Sequence, residues 1–192
     1  PYAISKVFSH YLTQNYRNSY NMFATSGILF NHESPLRGEE FVTRKIVINL
    51  IKVLKKDINF FELGNIYAKR DWGYAKEYVE AMWKMLQRRK PKDYVISTGK
   101  THSIKEFINI ATKYLNMNVK WTGAGLSEKL INKDNNKKII QINPKFFRPS
   151  EVNILIGDPS QAKKDLGWKP KVNLSKLIKI MINEEIKYYK KL

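Results

Sequence analysis

Apolar and polar positions recur along the chain with two periodicities, one typical of helices and one typical of strands. The predicted helices are 2–20, 41–56, 74–89, a helix that begins after Ser103, a short helix from 158 or 160 to 166, and 174–189. The predicted strands are 21–30, 94–98, 119–122 and 139–142, with a hairpin of 59–63 and 66–70 around Gly64-Asn65. Helix, buried strand and polar loop in succession indicate an α/β sheet, where ligands bind beyond the carboxyl ends of strands.

Several polar residues and glycines are predicted to define the ends of these elements. Ser103 and Glu106 form the Ser-x-x-Glu pattern of a capping box. Asp71 is predicted to cap the helix at 74, and Gly167 to end the short helix before it. The polar stretches 31–38 and 133–138 are predicted to be loops.

Composition narrows the possible classes of protein. The chain has 192 residues, enough for a sizeable core. It has no cysteine, which excludes disulfides, a thiolate nucleophile and cysteine-ligated zinc and fits a reducing, cytoplasmic setting. No metal site is predicted. No apolar run approaches the roughly 20 residues of a membrane helix, so no membrane partner is expected. Because the first residue is Pro1 and not Met, we expect a processed chain or a fragment.

The formal net charge is +18 at pH 7. Such a charge suits nucleic acid or another polyanion. The lysines are spread along the whole chain, however, so we interpret most of them as solvated helix and loop faces and expect no nucleic acid partner. A non-catalytic basic module that binds nucleic acid is the alternative from a different function class. A smaller anion, such as a diphosphate, is also compatible with this charge.

Tyr2 and Lys6 lie four residues apart at the start of the first predicted helix. Their side chains should project from one face, about one turn apart. A nearby ammonium favours the phenolate form of a tyrosine, so the two groups can act together as an acid–base unit. The same spacing is common by chance in surface helices. From the spacing alone, both interpretations stay open.

Short motifs occur in a specific order along almost the whole chain. They are Tyr2-Ala3-x-x-Lys6, Asn15-Tyr16-Arg17, Gly27-Ile28-Leu29-Phe30-Asn31-His32-Glu33-Ser34-Pro35, Arg37-Gly38, Leu63-Gly64-Asn65, Arg70-Asp71-Trp72-Gly73, Gly123-x-Gly125-x-x-Glu128, Arg148-Pro149-x-Glu151-Val152 and Leu166-Gly167-Trp168. Each motif is weak alone, but the ordered series resembles the C-terminal part of the GDP-mannose 4,6-dehydratases. That family belongs to the extended short-chain dehydrogenase/reductases.

The resemblance implies an α/β fold, the C-terminal part of a Rossmann-like fold with a smaller nucleotide-sugar-binding lobe. Later Rossmann elements would occupy about 1–58 and 90–100, interleaved with a substrate lobe at about 59–89 and 101–192. The implied reaction converts GDP-mannose to GDP-4-keto-6-deoxy-mannose by internal hydride transfer through NADP, in a homo-oligomer that is a dimer or tetramer. A related dehydratase or epimerase for another nucleotide sugar is the alternative, because diphosphate-binding arginines select neither base nor hexose.

The resemblance also implies roles for particular residues. Tyr2 would be the catalytic base for the mannose 4-hydroxyl, and Lys6 would support Tyr2 and hold the nicotinamide ribose. His32 and Arg37 would contact the cofactor. The GDP-sugar site would be lined by Asn31, Lys45, Arg70, Arg148 and Glu151. Its arginines would bind the diphosphate and its glutamate the ribose hydroxyls, through charge-assisted hydrogen bonds.

The chain departs from the family pattern in two respects. Leu36 stands where the family usually has the first of two arginines, in a loop implicated in cofactor contact between subunits. The glycine-rich dinucleotide fingerprint is absent from the sequence, because Gly123-Ala124-Gly125-Leu126-Ser127-Glu128 lacks its third glycine. The family's upstream Ser/Thr and Glu are missing as well. We therefore expect a single incomplete unit that lacks its N-terminal dinucleotide-binding part and is inactive by itself.

Overall fold

The computed structural model describes residues 1–147 and 150–189. In chain order the elements are α1 (Tyr2–Tyr20), β1 (Gly27–Leu29), β2 (Asn31–Glu33), α2 (Val42–Lys55), β3 (Phe61–Leu63), β4 (Lys69–Arg70), β5 (Trp72–Tyr74), α3 (Ala75–Leu86), β6 (Tyr94–Ile96), β7 (His102–Ser103), α4 (Ile104–Tyr114), β8 (Val119–Thr122), β9 (Lys129–Asn132), β10 (Lys138–Ile142), α5 (Ser160–Leu166) and α6 (Leu174–Tyr189). Within the described residues, no helix combines the length and apolar character needed to cross a membrane.

The backbone groups into two compact units. Unit 1 comprises Pro1–His32, Asp71–Lys100 and Ile156–Lys171. Unit 2 comprises Glu33–Arg70, Thr101–Leu155 and the chain from Val172 onward. Which unit serves the cofactor and which the substrate stays a prediction.

Unit 1 is built on a parallel pair of strands. β1 runs parallel to β6, with Gly27 opposite Tyr94, and β2 pairs with β5. Buried side chains of α3, β6 and the α5 region pack into one core, namely Tyr78, Ala81, Met85, Tyr94, Ile96, Ala162, Leu166 and Trp168. The Trp168 ring meets the Tyr78 ring edge-on at 5.7 Å, and its indole N–H donates to the Glu77 carbonyl at 2.8 Å. Helix α1, described over its full length, contributes no buried residue to this core.

Unit 2 contains a four-stranded sheet in the order β3-β10-β9-β8. β10 runs parallel to β3 and antiparallel to β9, and β9 runs antiparallel to β8. Helices α2, α4 and α6 bury apolar stripes at helical spacing, including Ile46, Leu50, Phe107, Ile108, Leu177 and Ile178. A second, small antiparallel pair places β4 beside β7.

The predicted helices are confirmed. α1 and α6 have the predicted bounds, and α2 and α3 fall within theirs. Ser103 caps α4, because its hydroxyl accepts the Glu106 backbone N–H at 3.0 Å. Gly167 ends α5 at a φ of 58°, a left-handed conformation that favours glycine. β6, β8 and β10 also lie where strands were predicted.

The predicted hairpin around Gly64-Asn65 is wrong. Its first strand, β3, pairs with β10, and its second, β4, pairs with β7. Pairing with β10 lets Phe61 and Leu63 be buried in the sheet of unit 2. Glycine is required at position 64 because a Cβ there would lie 2.5 Å from the Phe146 carbonyl oxygen. The requirement does not come from a hairpin turn.

Three further predictions need correction. The strand predicted at 21–30 is confined to Gly27–Leu29, and Asn21 instead ends α1 in the left-handed region at φ 52°. The predicted loop 31–38 begins with a strand, β2, that pairs with β5. Asp71 was predicted to cap α3, but among the described contacts it does not. α3 begins after Tyr74 and has no side-chain cap. β9 was not predicted.

Candidate functional site

Tyr2 and Lys6 lie on one face of α1, as their spacing predicts. The Lys6 ammonium nitrogen is 5.3 Å from the centre of the Tyr2 ring, a cation–π distance. Both side chains are exposed, that of Tyr2 by 76 %. The helix that carries them begins at Tyr2, and the Ser5 N–H donates to the Pro1 carbonyl at 3.0 Å. The structure thus brings a phenol and an ammonium together on an accessible surface of unit 1.

Asn31 and His32 are positioned by strand β2 of the sheet and are half-buried. The His32 Nδ1 atom is 2.9 Å from the Phe30 carbonyl oxygen, and the imidazole stacks on the Tyr78 ring at 5.2 Å. The backbone of Phe30 is itself held by a hydrogen bond from its N–H to the Ile96 carbonyl at 2.9 Å. An imidazole that donates from Nδ1 to a carbonyl presents Nε2 as its acceptor. The ring of His32 is therefore fixed in orientation by its neighbours in unit 1.

Arg37 is held within its own loop. Its Nε lies 3.3 Å from the Glu33 carboxylate, and its guanidinium carbon lies 3.5 Å above the centre of the Phe41 ring. Glu33 is buried and also accepts the Thr43 hydroxyl at 2.6 Å. Leu36, next to Arg37, is 94 % exposed. These contacts hold the Arg37 side chain against its own loop, while the Leu36 side chain is exposed.

Lys45 and Arg70 are predicted substrate residues that lie in unit 2. The Lys45 ammonium is 4.5 Å from the centre of the Phe146 ring. Arg70 forms an ion pair with Glu151, another predicted substrate residue, and both side chains are largely buried. Arg148 lies outside the described residues. The structure therefore brings Arg70 and Glu151 together.

Asp71 accepts several hydrogen bonds that the sequence did not predict. It is buried, and its carboxylate accepts the Thr98 hydroxyl at 2.6 Å, the Thr98 N–H at 2.9 Å and the Gly99 N–H at 2.9 Å. A longer contact joins it to the Gly157 N–H at 3.4 Å. The carboxylate thus ties the start of β5 to the loop that follows β6. Its place in the Arg70-Asp71-Trp72-Gly73 motif was the only sequence signal for this role.

Glu128, the last residue of the Gly-x-Gly-x-x-Glu motif, is a second buried carboxylate that accepts several hydrogen bonds. It is 3 % exposed and accepts the Lys105 ammonium at 2.5 Å and the Tyr67 hydroxyl at 2.6 Å. The Lys105 ammonium also lies within cation–π distance of the Tyr67 and Trp121 rings, 5.2 and 5.0 Å from their centres. The hydrogen bond to Glu128 raises the pKa of Lys105. The last residue of this motif, Glu128, therefore forms an ion pair with Lys105 inside unit 2.

Of the residues predicted to hold NADP, Lys6 and His32 lie in unit 1 and Arg37 lies in unit 2, and their role stays a prediction. Lys6 and His32 of unit 1 supply an ammonium and an oriented imidazole, groups suited to the nicotinamide and its ribose. Gly123 and its neighbours do not form a phosphate site at a helix N-terminus. They form a short 3-10 helix, Gly125–Ser127, and a Cβ at Gly123 would lie 2.5 Å from the Ser127 carbonyl oxygen. In the described ranges 1–147 and 150–189, no three His, Asp or Glu side chains group as a metal site.

Comparisons with known proteins agree with the motif series. A family profile described as GDP-mannose 4,6 dehydratase matches residues 1–181. The GDP-mannose 4,6 dehydratase of Drosophila melanogaster is 49 % identical over 191 residues, which cover 100 % of this chain and 48 % of that protein. The chain thus spans about half the length of the curated relatives it matches.

Solved structures show the same fold. RMD from Pseudomonas aeruginosa, complexed with NADPH, superposes with a TM-score of 0.78 at 17 % identity, over 97 % of this chain and 56 % of that one. UDP-glucose 4-epimerase from Thermotoga maritima, with UDP-glucose, superposes with a TM-score of 0.76 at 20 % identity, over 98 % of this chain and 54 % of that one. The α/β fold of this chain is therefore shared with these two structures, and an α/β fold was predicted.

Proposed function

Because this chain belongs to the GDP-mannose 4,6 dehydratase family, we propose that the protein containing it converts GDP-mannose to GDP-4-keto-6-deoxy-mannose. This is the reaction of a hydro-lyase. The observation that carries the proposal is the Tyr2–Lys6 pair, a phenol and an ammonium held one helical turn apart on an accessible surface. A phenol with a neighbouring ammonium is one arrangement that can carry out general acid–base chemistry at a sugar hydroxyl.

Tyr2 is proposed as the base that removes the proton of the mannose 4-hydroxyl. Lys6 is proposed to support Tyr2 in this role, and its ammonium can donate to ribose hydroxyls. The C4 ketone formed by oxidation acidifies the proton on C5. The C5 proton and the C6 hydroxyl then leave as water, which gives a 4-keto-5,6-ene. Addition of a hydride at C6 and of a proton at C5 completes the 4-keto-6-deoxy sugar.

NADP is the proposed cofactor and, when bound, would accept the hydride from C4 and return it to C6. The NADPH in the Pseudomonas aeruginosa structure supports a nicotinamide cofactor of this kind. Lys6, His32 and Arg37 are the proposed cofactor residues of this chain. A titration that compares NADP with NAD by protein fluorescence tests the choice, and tighter binding of NAD would contradict it.

The proposed GDP-mannose site uses residues from several segments of the sequence. They are Asn31, Lys45, Arg70, Arg148 and Glu151. The contact between Arg70 and Glu151 supports this, because it brings two of the proposed residues together. We also propose a homo-oligomer, dimer or tetramer, and a cytoplasmic setting. Light scattering of the purified protein tests the oligomeric state, and a monomer at working concentration would contradict it.

The Tyr2→Phe variant of the complete natural protein tests the proposed function. Hydride transfer should be nearly abolished because phenylalanine has no ionisable hydroxyl, while GDP-mannose affinity should stay within a few-fold. Turnover is measured as formation of the 4-keto-6-deoxy product, and affinity by calorimetry. Tyr11→Phe, an exposed tyrosine on the same helix, is the matched control and should keep wild-type turnover.

Two results would contradict the proposal. Wild-type turnover by Tyr2→Phe would contradict the proposal that Tyr2 is the base. A complete protein that forms no 4-keto-6-deoxy product from GDP-mannose would contradict the proposed reaction. Residues 1–192 alone are expected to be inactive, since the described residues provide no cradle for the cofactor pyrophosphate, and the same product assay checks this.

A further inference from the structure

A small cavity lies in unit 2, where the end of α2 and the loop after α4 meet the turn between β9 and β10. Its volume is about 280 Å³. A water molecule takes about 30 Å³ of liquid volume, so the cavity has room for roughly nine groups of that size. All of its lining residues belong to unit 2. None of the described residues to which the proposed function gives a role is among them.

The inner lining of this cavity is apolar. Ile139 of β10 is buried, and Val53 of α2, Ile58 and Met117 are half-buried. These side chains come from three separate segments of the chain and present apolar surface to one space. A ligand that fills the space therefore gains free energy by burying an apolar body.

The outer lining is positively charged. Lys56, Lys137 and Lys138 all line the cavity, and the first two are exposed. The Lys138 ammonium donates to the Gln141 side chain and lies 3.6 Å from the centre of the Phe60 ring. The ammonium groups of Lys56 and Lys137 make no ion pair or hydrogen bond with any described residue. The described lining contains no aspartate or glutamate that would neutralise this charge.

Two asparagines of the lining offer mainly hydrogen-bond donors. The Asn132 side-chain oxygen accepts the Asp134 N–H at 2.7 Å, and the Asn135 side-chain oxygen accepts the Lys137 N–H at 2.9 Å. Each amide oxygen is thus used within the turn, which leaves the N–H groups of each amide for another acceptor. Together with the ammonium groups, these donors suit a ligand that carries negatively charged oxygens.

The turn that carries these groups is held in place by its own hydrogen bonds. The Asn132 N–H donates to the Lys137 carbonyl at 2.9 Å, and the Lys133 N–H donates to the Asn118 carbonyl at 2.8 Å. Asp134, the acidic residue of the turn, accepts the Asn118 side-chain amide at 2.6 Å and does not line the cavity. A ligand therefore does not have to order this backbone when it binds, which favours affinity.

We propose that this cavity is a binding site for a small organic anion, a phosphate monoester or carboxylate with an apolar body. The body packs against Val53, Ile58, Met117 and Ile139, and the anionic group lies at the lysines of the rim. A nucleotide sugar, with its base, ribose, diphosphate and hexose, is too large for the space. The site is therefore additional to the proposed GDP-mannose and cofactor sites.

The first experiment titrates the complete natural protein with phenyl phosphate by calorimetry, in the presence of excess GDP to occupy the proposed nucleotide site. Inorganic phosphate and phenol are titrated in the same way, because each carries only one half of the proposed ligand. Phenyl phosphate should bind at least about 10-fold more tightly than either of them, since it alone uses both the apolar lining and the lysines.

The second experiment removes the charge at the rim. The double variant Lys56→Gln/Lys137→Gln should bind phenyl phosphate about 5-fold or more weakly, while its affinity for phenol should stay within about 2-fold. The matched control is Lys55→Gln/Lys133→Gln, which removes the same charge from exposed positions that do not line the cavity. The control should bind phenyl phosphate within about 2-fold of wild type. Exposed lysines are replaced in both variants, so their stability should be little changed.

Equal losses of phenyl phosphate affinity in the two double variants would overturn the inference, because the net charge of +18 alone would then account for binding. Equal affinities for phenyl phosphate and inorganic phosphate would overturn it too, as would the absence of phenyl phosphate binding in excess GDP. The proposed function is judged separately, by product formation from GDP-mannose, which both double variants should retain. A wild-type protein that binds phenyl phosphate as expected but forms no product would support this inference and contradict the proposed function.

Discussion

The guanidinium of Arg17 forms two parallel hydrogen bonds with the carboxylate of Asp93, Nη1 to Oδ1 at 2.9 Å and Nη2 to Oδ2 at 2.8 Å. The same carboxylate accepts the Ser26 N–H at 2.8 Å and the Gln14 side-chain amide at 3.1 Å. These bonds join the end of α1 to the residues that precede β1 and β6. The hydrogen bonds from Arg17 hold the pKa of Asp93 well below its usual range, against an opposing effect of burial.

Asp93→Asn should lower the free energy of unfolding by about 2–3 kcal/mol, because the charge-assisted bonds to Arg17 are lost in a largely buried place. Urea denaturation followed by circular dichroism measures the change. Asp165→Asn is the matched control, since its partner Lys92 is 54 % exposed. The control should lose less stability. Equal losses for the two variants would show that the Arg17 contact is no stronger than a surface ion pair.

The stabilisation by Asp93 should depend on pH in one direction. Its pKa is lower in the folded state than its ordinary value of 3.8. Above that ordinary value the carboxylate is charged in both states, and its contribution to stability is fully present. The contribution is lost as the pH falls through the depressed folded pKa. The difference between wild type and Asp93→Asn in urea midpoint should be constant from pH 7 to about 5 and shrink below about 4. A difference that grows on acidification would contradict the assignment.

The helices were predictable because their signals are local. The apolar stripe of α2 and the Ser103 cap of α4 each depend on residues within a few positions of one another. The strand partners were not predictable in this way. β3 pairs with β10, and the partners Phe61 and Ile140 are 79 positions apart in the sequence. The Gly64-Asn65 turn signal is local and favoured a hairpin, but burial of Phe61 and Leu63 in the unit 2 sheet prevailed.

The candidate site shows the same division between local and distant signals. Tyr2 and Lys6 were predicted to meet because helical spacing alone brings them together. Arg70 and Glu151 were each predicted as ligand contacts, but their pairing depends on a backbone bridge between segments 81 residues apart. Asp71 was misassigned as a helix cap, because its partners in the loop after β6 are 27 and 28 residues away. Motif resemblance identified these residues without showing which of them touch.

Glu128→Gln should lower the free energy of unfolding by about 2–4 kcal/mol, because it removes the charged partner of Lys105 at a site that is 3 % exposed. Urea denaturation measures the loss. Glu184→Gln is the control, since Glu184 is paired with Lys187 on an exposed face of α6, and it should change stability by less than about 1 kcal/mol. A Glu128→Gln protein as stable as the control would contradict a structural role for the Gly-x-Gly-x-x-Glu motif.

Lys56→Gly should raise the free energy of unfolding by about 0.5–1 kcal/mol. Lys56 ends α2 at a φ of 65° and ψ of 20°, a left-handed conformation in which a side chain costs roughly 1 kcal/mol and glycine costs little. Its N–H is already satisfied by the carbonyls of Lys52 and Val53, so the substitution removes strain without removing a bond.

The matched control for this substitution is Lys55→Gly, one residue earlier. Lys55 is the last helical residue of α2 and is also exposed, so glycine there should lower stability by about 0.5–1 kcal/mol. Thermal and urea unfolding of the two variants should therefore shift in opposite directions from wild type. Shifts of the same sign would mean that the left-handed conformation at Lys56 carries no strain.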